Sequence, residues 1–291
     1  MHSGQHEVTA RQALRLIAAQ MPDLAALPLR RVGQSGTDNV LFRLGKSLVA
    51  RFPRLPHAEA EIDLQAHWLP SLAPLPLAVP TASEFGLPGQ NYPFRWTVLH
   101  WLPGQPADTA ALDQPRAAAA LARFLKSLHS RPQPHNAPAT TISNRLDQRL
   151  AVLDHFITLF QDEADPAQLH QIAAELRKLP VHSGPPVWVH GDLHPLNLLT
   201  RHGKLSAVVD WGSMGLGDPA MDLMAAWTLF DTPARTLFRH EMAVAADTWN
   251  RARALAFSKS VAAIPYYRTS NPRLRDVMKR TLARVLQDRP E

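Results

Sequence analysis

The sequence predicts an α+β fold in which a strand-rich N-terminal part, carrying one or two helices, precedes a mainly helical remainder. Three observations predict it. Short apolar runs bounded by turn residues recur at 29–32, 40–44, 47–52 and 94–101. Beyond about residue 104 the apolar spacing lengthens to three and four, over alanine- and leucine-rich segments. A strand-like stretch, VWVHGDLHPLNLLTRHGKLSAVVDWG at 187–212, then interrupts the helical part. The two parts divide near Pro103, giving 1–103 and 104–291.

Bulk properties narrow the classes. No apolar run approaches the roughly 20 residues of a membrane span, and the first twenty residues carry charges throughout, so neither a membrane nor a secretory signal is expected. The absence of cysteine excludes disulfides and thiolate metal sites and fits a cytoplasmic setting. A formal charge of +6 raises the question of nucleic acid, but the basic residues are dispersed, with no aromatic-interleaved stripe. A solvated arginine-rich surface explains them.

In chain order, Val8, Ala13, Leu14, Ile17 and Ala18 share a helical face over 8–20, and Pro22 ends it. Strands are expected at Leu29–Val32 and Val40–Leu44, joined by the small, polar turn 33–39, and at Ser47–Phe52. His57–Trp68 reads as a helix carrying Glu61 and Gln65. The proline-rich stretch 70–80 should run extended. Phe94–Trp101 is a strand running into Leu102-Pro103-Gly104, either a hinge or a central strand entering a turn.

Asp113 and Pro115 start a helix over Arg116–His129, with His129 a helix-end residue. Further helices are expected at 143–160, 166–179, 219–230, 233–254 and about 272–288. Asp218 before Pro219 is a helix cap.

Within 187–212, Val187–Val189, 198–200 and 205–209 are strand-like, separated by His190-Gly191-Asp192 and by a turn at 201–204. Asp192, Asn197 and Asp210 then fall at one end of a hairpin. Such a cluster suits phosphoryl transfer: one carboxylate accepts a hydroxyl proton, while an amide oxygen and a second carboxylate suit magnesium.

His190-Gly191-Asp192-Leu193-His194-Pro195-Leu196-Asn197, followed by Asp210-Trp211, resembles the catalytic-loop motif of the aminoglycoside phosphotransferase (APH-like) family of small-molecule kinases. The resemblance covers about residues 29–230. It implies a bilobal protein-kinase-like fold, antiparallel β above and helical below, with nucleotide and substrate in the inter-lobe cleft. It implies Asp192 as catalytic base, Asn197 and Asp210 as Mg2+ ligands, and ATP or GTP as phosphate donor. His190 and Asp222 would support the loop. For the nucleotide it implies Ser35 in the 33–39 turn, Arg51 as phosphate anchor where protein kinases use lysine, and the backbone from Leu99 to Trp101 against the purine. Gln65 falls where the family commonly has glutamate; either Glu61 pairs with Arg51 instead, or that ion pair is absent.

Two other readings stand beside this one. Arg51 and Gln65 motivate a nucleotide-binding protein without catalysis, and His190, Asp192 and His194 form the HxDxH of a metal-dependent hydrolase. The expected acceptor is a small hydroxylated molecule, an aminoglycoside or macrolide antibiotic among the options. From 104 onward 22 Lys/Arg face 18 Asp/Glu, so a polycation would need a local acidic cluster drawn from Asp154, Asp162, Glu163, Asp165, Asp231 and Glu241.

Overall fold

The computed structural model describes residues 5–33, 38–140, 146–161 and 163–288. The chain forms two compact units. One runs from the N-terminus to Pro74 and resumes at Ala78–Pro103; the other comprises Leu75–Leu77 and the chain from Gly104 onward. Among the described residues no helix is long and apolar enough to cross a membrane.

The first unit opens with α1 (Ala10–Gln20), capped by the Thr9 hydroxyl on the Gln12 N–H. Its buried stripe is Ala13, Leu16 and Ile17, whereas Leu14 is 40% exposed. The face expected from the sequence is therefore corrected: with the helix starting at Ala10, the period of 3.6 carries 13, 16 and 17 inward and turns Leu14 and Ala18 out. The strands β1 (Leu29–Arg31), β2 (Asn39–Leu44), β3 (Leu48–Pro53), β4 (Ala82–Gly86) and β5 (Trp96–His100) form one antiparallel sheet in the order β1-β2-β3-β5-β4. Strict alternation in β2 buries Val40, Phe42 and Leu44. Phe52 stacks on Trp96 at 4.8 Å, and both belong to a core shared with Leu16 and Ile17.

Between β3 and β4 lies α2 (Pro56–Leu72). It carries Pro70 inside its last turn, so the expected extended connector begins only at Ala73. A proline there forfeits a single backbone bond, which helix packing through buried Leu69 and Leu72 offsets.

The second unit starts with the two-residue β6 (Gln105–Pro106), followed by α3 (Gln114–His129), capped by Asp113. The expected helix at 143–160 is two short ones, α4 (Leu146–Ala151) and α5 (Leu153–Ile157), before α6 (Pro166–Leu176). The interrupting stretch gives β7 (Val187–Val189), β8 (Leu198–Arg201), β9 (Lys204–Val208) and β10 (Gly215–Gly217). Strand β10 pairs with β7, and β8 lies between β6 and β9. The remainder is α7 (Ala220–Leu223), α8 (Ala225–Leu229), α9 (Thr232–Met242), α10 (Ala246–Tyr266) and α11 (Pro272–Gln287). The single helix expected over 233–254 breaks at Ala243, which adopts a left-handed φ of 52° as the C-cap of α9. Its second half runs on to Tyr266, and most of it is buried.

Candidate active site

The local fold around Asp192 follows from β7 ending in a glycine. Gly191 has φ +84°, and a Cβ there would lie 2.8 Å from the Ser213 carbonyl oxygen and 3.2 Å from Thr140 Oγ1. Only glycine turns the chain here without displacing backbone. The turn is then fixed from α7. Asp222, wholly buried, accepts the His190 N–H on Oδ2 at 3.1 Å and the Gly191 N–H on Oδ1 at 2.9 Å. His129, at the end of α3, reaches Asp222 Oδ2 at 3.1 Å. Capping belongs to Asp218, which accepts the Ala220 N–H and forms a buried pair with Arg251 at 2.7 Å.

His190 is also wholly buried, and its tautomer follows from its partners. Nδ1 accepts the Asp192 N–H at 3.2 Å, so Nε2 carries the proton and donates to the Val209 carbonyl at 3.0 Å. Burial lowers its pKa, with Asp222 and the Val209 carbonyl working against that, and a neutral imidazole satisfies both bonds. The ring packs edge-on against Trp211 at 4.8 Å.

Asn197 closes a short 3-10 turn, Pro195–Asn197, by donating its N–H to the His194 carbonyl. Its amide nitrogen donates to the Asp192 carbonyl at 2.9 Å and lies 3.4 Å from Asp192 Oδ2, which turns the amide oxygen away from both. Across the hairpin, Leu198 pairs with Val208, and the Val209 N–H donates to the Asn197 carbonyl. That register brings Asp210 to the same end as Asn197. Asp210 is exposed and has φ 65°, a left-handed conformation that aspartate tolerates at a cost of about 1 kcal/mol. Strain held at an exposed carboxylate is typical of functional positions.

One partner of Asp192 went unforeseen. Lys259 of α10 forms an ion pair with Asp192 Oδ1, and His194 Nε2 lies 3.5 Å from Oδ2. Burial works to raise the Asp192 pKa; the Lys259 ammonium and His194 outweigh it and hold the carboxyl well below the usual carboxylate range. Asp192 and Lys259 also line a cavity of about 240 Å3 with Arg149, Met221, Met224 and Leu255. Lys259 follows no motif, and the sequence reading stopped its helix at 254. The available signal was a lone lysine in AFSKSVAAI, an otherwise small and apolar run.

In the first unit, Arg51 is 6% exposed and each of its nitrogens has a partner. Nε donates to Asn39 Oδ1 at 3.0 Å, Nη1 to Gln65 Oε1 at 2.9 Å and Nη2 to Glu61 Oε2 at 2.9 Å. Of the two alternatives read from the sequence, the first is the one seen: Glu61 pairs with Arg51, and Gln65 supplies a second oxygen beside it. Gln65 Nε2 is buried with no hydrogen-bond partner. Leu99 and Trp101 lie at the end of β5, where the Trp101 N–H donates to the Ser47 carbonyl and that of His100 to Thr81. Ser35 lies outside the described residues.

The hydrolase reading loses its geometry. Both ring nitrogens of His190 are committed, and among the described residues the group of carboxylates and imidazoles spaced to share an ion is Asp38, His57 and Glu61, remote in sequence from the HxDxH.

An antiparallel sheet unit followed by a helical unit, with a half-buried loop aspartate and an asparagine–aspartate hairpin, defines a kinase-like phosphotransferase. The fold matches the GDP complex of wild-type aminoglycoside 2'-phosphotransferase-IIIa with a TM-score of 0.72 at 17% identity, covering 96% of this chain and 98% of that one. It matches macrolide 2'-phosphotransferase MphH from Brachybacterium faecium with a TM-score of 0.60 at 21% identity, covering 94% and 97%. A viomycin phosphotransferase of Streptomyces vinaceus is 32% identical over 200 residues, 62% of this chain and 67% of that protein. The model of the APH phosphotransferase enzyme family matches residues 29–255, and the chain belongs to that family. It is a small-molecule kinase, with an alcohol group as acceptor.

Proposed function

We propose that this enzyme moves the γ-phosphate of ATP or GTP, held with Mg2+, onto a hydroxyl of a small molecule of the antibiotic kind, with Asp192 as the catalytic base. The observation that carries the reading is Asp192 itself, an ionised carboxylate facing a cavity, on a loop locked by Asp222 and beside the Asn197–Asp210 hairpin end. Asp192 orients the acceptor O–H and takes its proton as the oxygen–phosphorus bond forms and the bond to the nucleotide's leaving phosphate breaks. Positioning and charge neutralisation supply most of the acceleration.

Asn197 Oδ1 and the Asp210 carboxylate fit a hard divalent cation: both are oxygen donors, and the asparagine's nitrogen is occupied elsewhere. Bound there, Mg2+ would neutralise phosphate charge. Arg51, braced by Asn39, Gln65 and Glu61, is the phosphate anchor, and Ser35 a second phosphate contact. The backbone from Leu99 to Trp101 takes the purine edge, through a carbonyl, since the His100 and Trp101 N–H groups are already donated. His190 and Asp222 keep the loop in shape.

The test is transfer of label from γ-labelled ATP and GTP across a panel of hydroxylated antibiotics and metabolites. Label should appear on an acceptor, and vanish with a chelator or in Asp192→Ala. Transfer unaffected by Asp192→Ala would overturn the reading.

A further inference from the structure

Two stretches of the second unit carry the same spacing of residues beside Asp192. On α10, Lys259, Ala262, Ala263 and Tyr266 fall at i, i+3, i+4 and i+7, one face of a helix. Across the break between α4 and α5, Arg149, Val152, Leu153 and Phe156 repeat that spacing. Helices α4 and α5 both pack against α10, and the two stripes line one cavity of about 310 Å3. Each stripe reads in the same order: a charged residue, two aliphatic ones, an aromatic ring.

The charged members mark the end at which Asp192 lies. Arg149 and Lys259 also line the cavity of about 240 Å3 that holds Asp192, and Lys259 is its ion-pair partner. The aliphatic members, Phe156 and Tyr266 line only the larger cavity, and Tyr267 lines both. Ser258 shares the larger lining, but its hydroxyl donates to the Leu255 carbonyl within α10. Leu153 and Ala263 are buried, Phe156 and Ala262 half-buried, Val152 52% exposed and Tyr266 53%.

That exposure follows from the sequence. Leu146, Leu150, Leu153 and Ile157 take the buried face of α4 and α5, which leaves Val152 and Phe156, four apart, on its flank. Apolar side chains held open beside a reactive carboxylate form the wall of a ligand groove. At 1.5 Å per residue, the α10 stripe runs about 10 Å from Lys259 to Tyr266.

We propose that this groove holds the apolar body of the acceptor, an alcohol whose hydroxyl meets Asp192 and whose aliphatic or aromatic arm lies along Val152, Phe156, Ala262 and Tyr266. This rests on the phosphotransfer proposed at Asp192 and names the acceptor's chemical class.

A matched series tests it: benzyl alcohol, its 4-ethyl and 4-butyl derivatives, and 4-(2-methoxyethyl)benzyl alcohol, which copies the butyl shape with one ether oxygen. Binding to the full-length enzyme is read by ligand-observed NMR titration, and transfer by label from γ-labelled ATP. Each methylene withdrawn from water should tighten binding about fourfold, so the butyl compound should bind about tenfold tighter than the ethyl. The methoxyethyl compound should lose most of that gain. Val152→Asn and Ala262→Gln, chosen at positions with room for a polar group and checked by melting temperature, should each flatten the series. A flat series in the wild type, no measurable binding, a methoxyethyl compound equal to the butyl, or a gain intact in both variants overturns the proposal. A series that behaves as expected, with no alcohol here or in the antibiotic and metabolite panel ever labelled, instead overturns the phosphotransfer reading.

Discussion

Replacing Asp222 by alanine removes the anchor of the loop that carries Asp192 without touching any residue proposed to meet substrate. In the folded chain its two oxygens accept the His190 and Gly191 N–H groups, at 3.1 and 2.9 Å, in a wholly buried setting. Hydrogen bonds to a charged group contribute about 1.5–3 kcal/mol each, and a buried N–H left without a partner costs about 1–3 kcal/mol. Relief of the carboxylate's own desolvation offsets part of that loss. A net destabilisation of about 3 kcal/mol results for Asp222→Ala. Asp222→Asn should fall close to it, because the amide would turn an N–H toward one of the same two donors. Urea unfolding followed by tryptophan emission reads the loss, with Trp188 and Trp211 both buried beside the loop. Turnover per folded molecule should drop at least about tenfold, since the loop that aims Asp192 loses its fixed shape. A midpoint unchanged from wild type would refute this account of the loop, as would full turnover in the folded fraction.

Other outcomes follow from the same geometry. Gly191→Ala should destabilise by about 2–4 kcal/mol, because it combines a left-handed φ with backbone 2.8 Å from the new methyl; thermal unfolding checks it. In Lys259→Met the Asp192 pKa should rise, so the acid limb of the kcat profile should move to higher pH; an unmoved limb would show that Lys259 does not set that charge. Glu163 is held at about 2: burial works to raise it, and the Gln161 N–H with Arg275 and Arg268 outweighs burial. Its folded pKa lies below the usual glutamate value of about 4.5, so its contribution is present above about pH 4.5 and is lost as pH falls toward 2. That contribution is about 3 kcal/mol, and Glu163→Gln should flatten stability against pH across that window.

Much of the site could be read from the sequence because it lies in consecutive residues. Gly191 announces a turn that no other residue makes, and the hairpin from Leu198 to Val208 fixes where Asp210 falls relative to Asn197. The strand pattern of the first unit was legible for the same reason, alternation in β2 being a local property. Long-range pairings were not. Nothing near Glu61 or Gln65 says that one guanidinium takes both, and only tertiary packing brings Lys259 to Asp192, 67 positions away in sequence. Strand β4 was missed because four of its five residues are exposed and carry no apolar period. The break at Ala243 was missed because alanine rarely adopts a left-handed φ.

The role of Asp192 is tested most directly by Asp192→Asn, which keeps the side chain's shape and removes its charge. Transfer of γ-phosphate to an acceptor already shown to react is measured at saturating nucleotide, with folding checked by melting temperature. The account predicts a fall in kcat of about 100-fold to 10,000-fold with acceptor binding retained. A variant that transfers phosphate within a few-fold of the wild-type rate would contradict it.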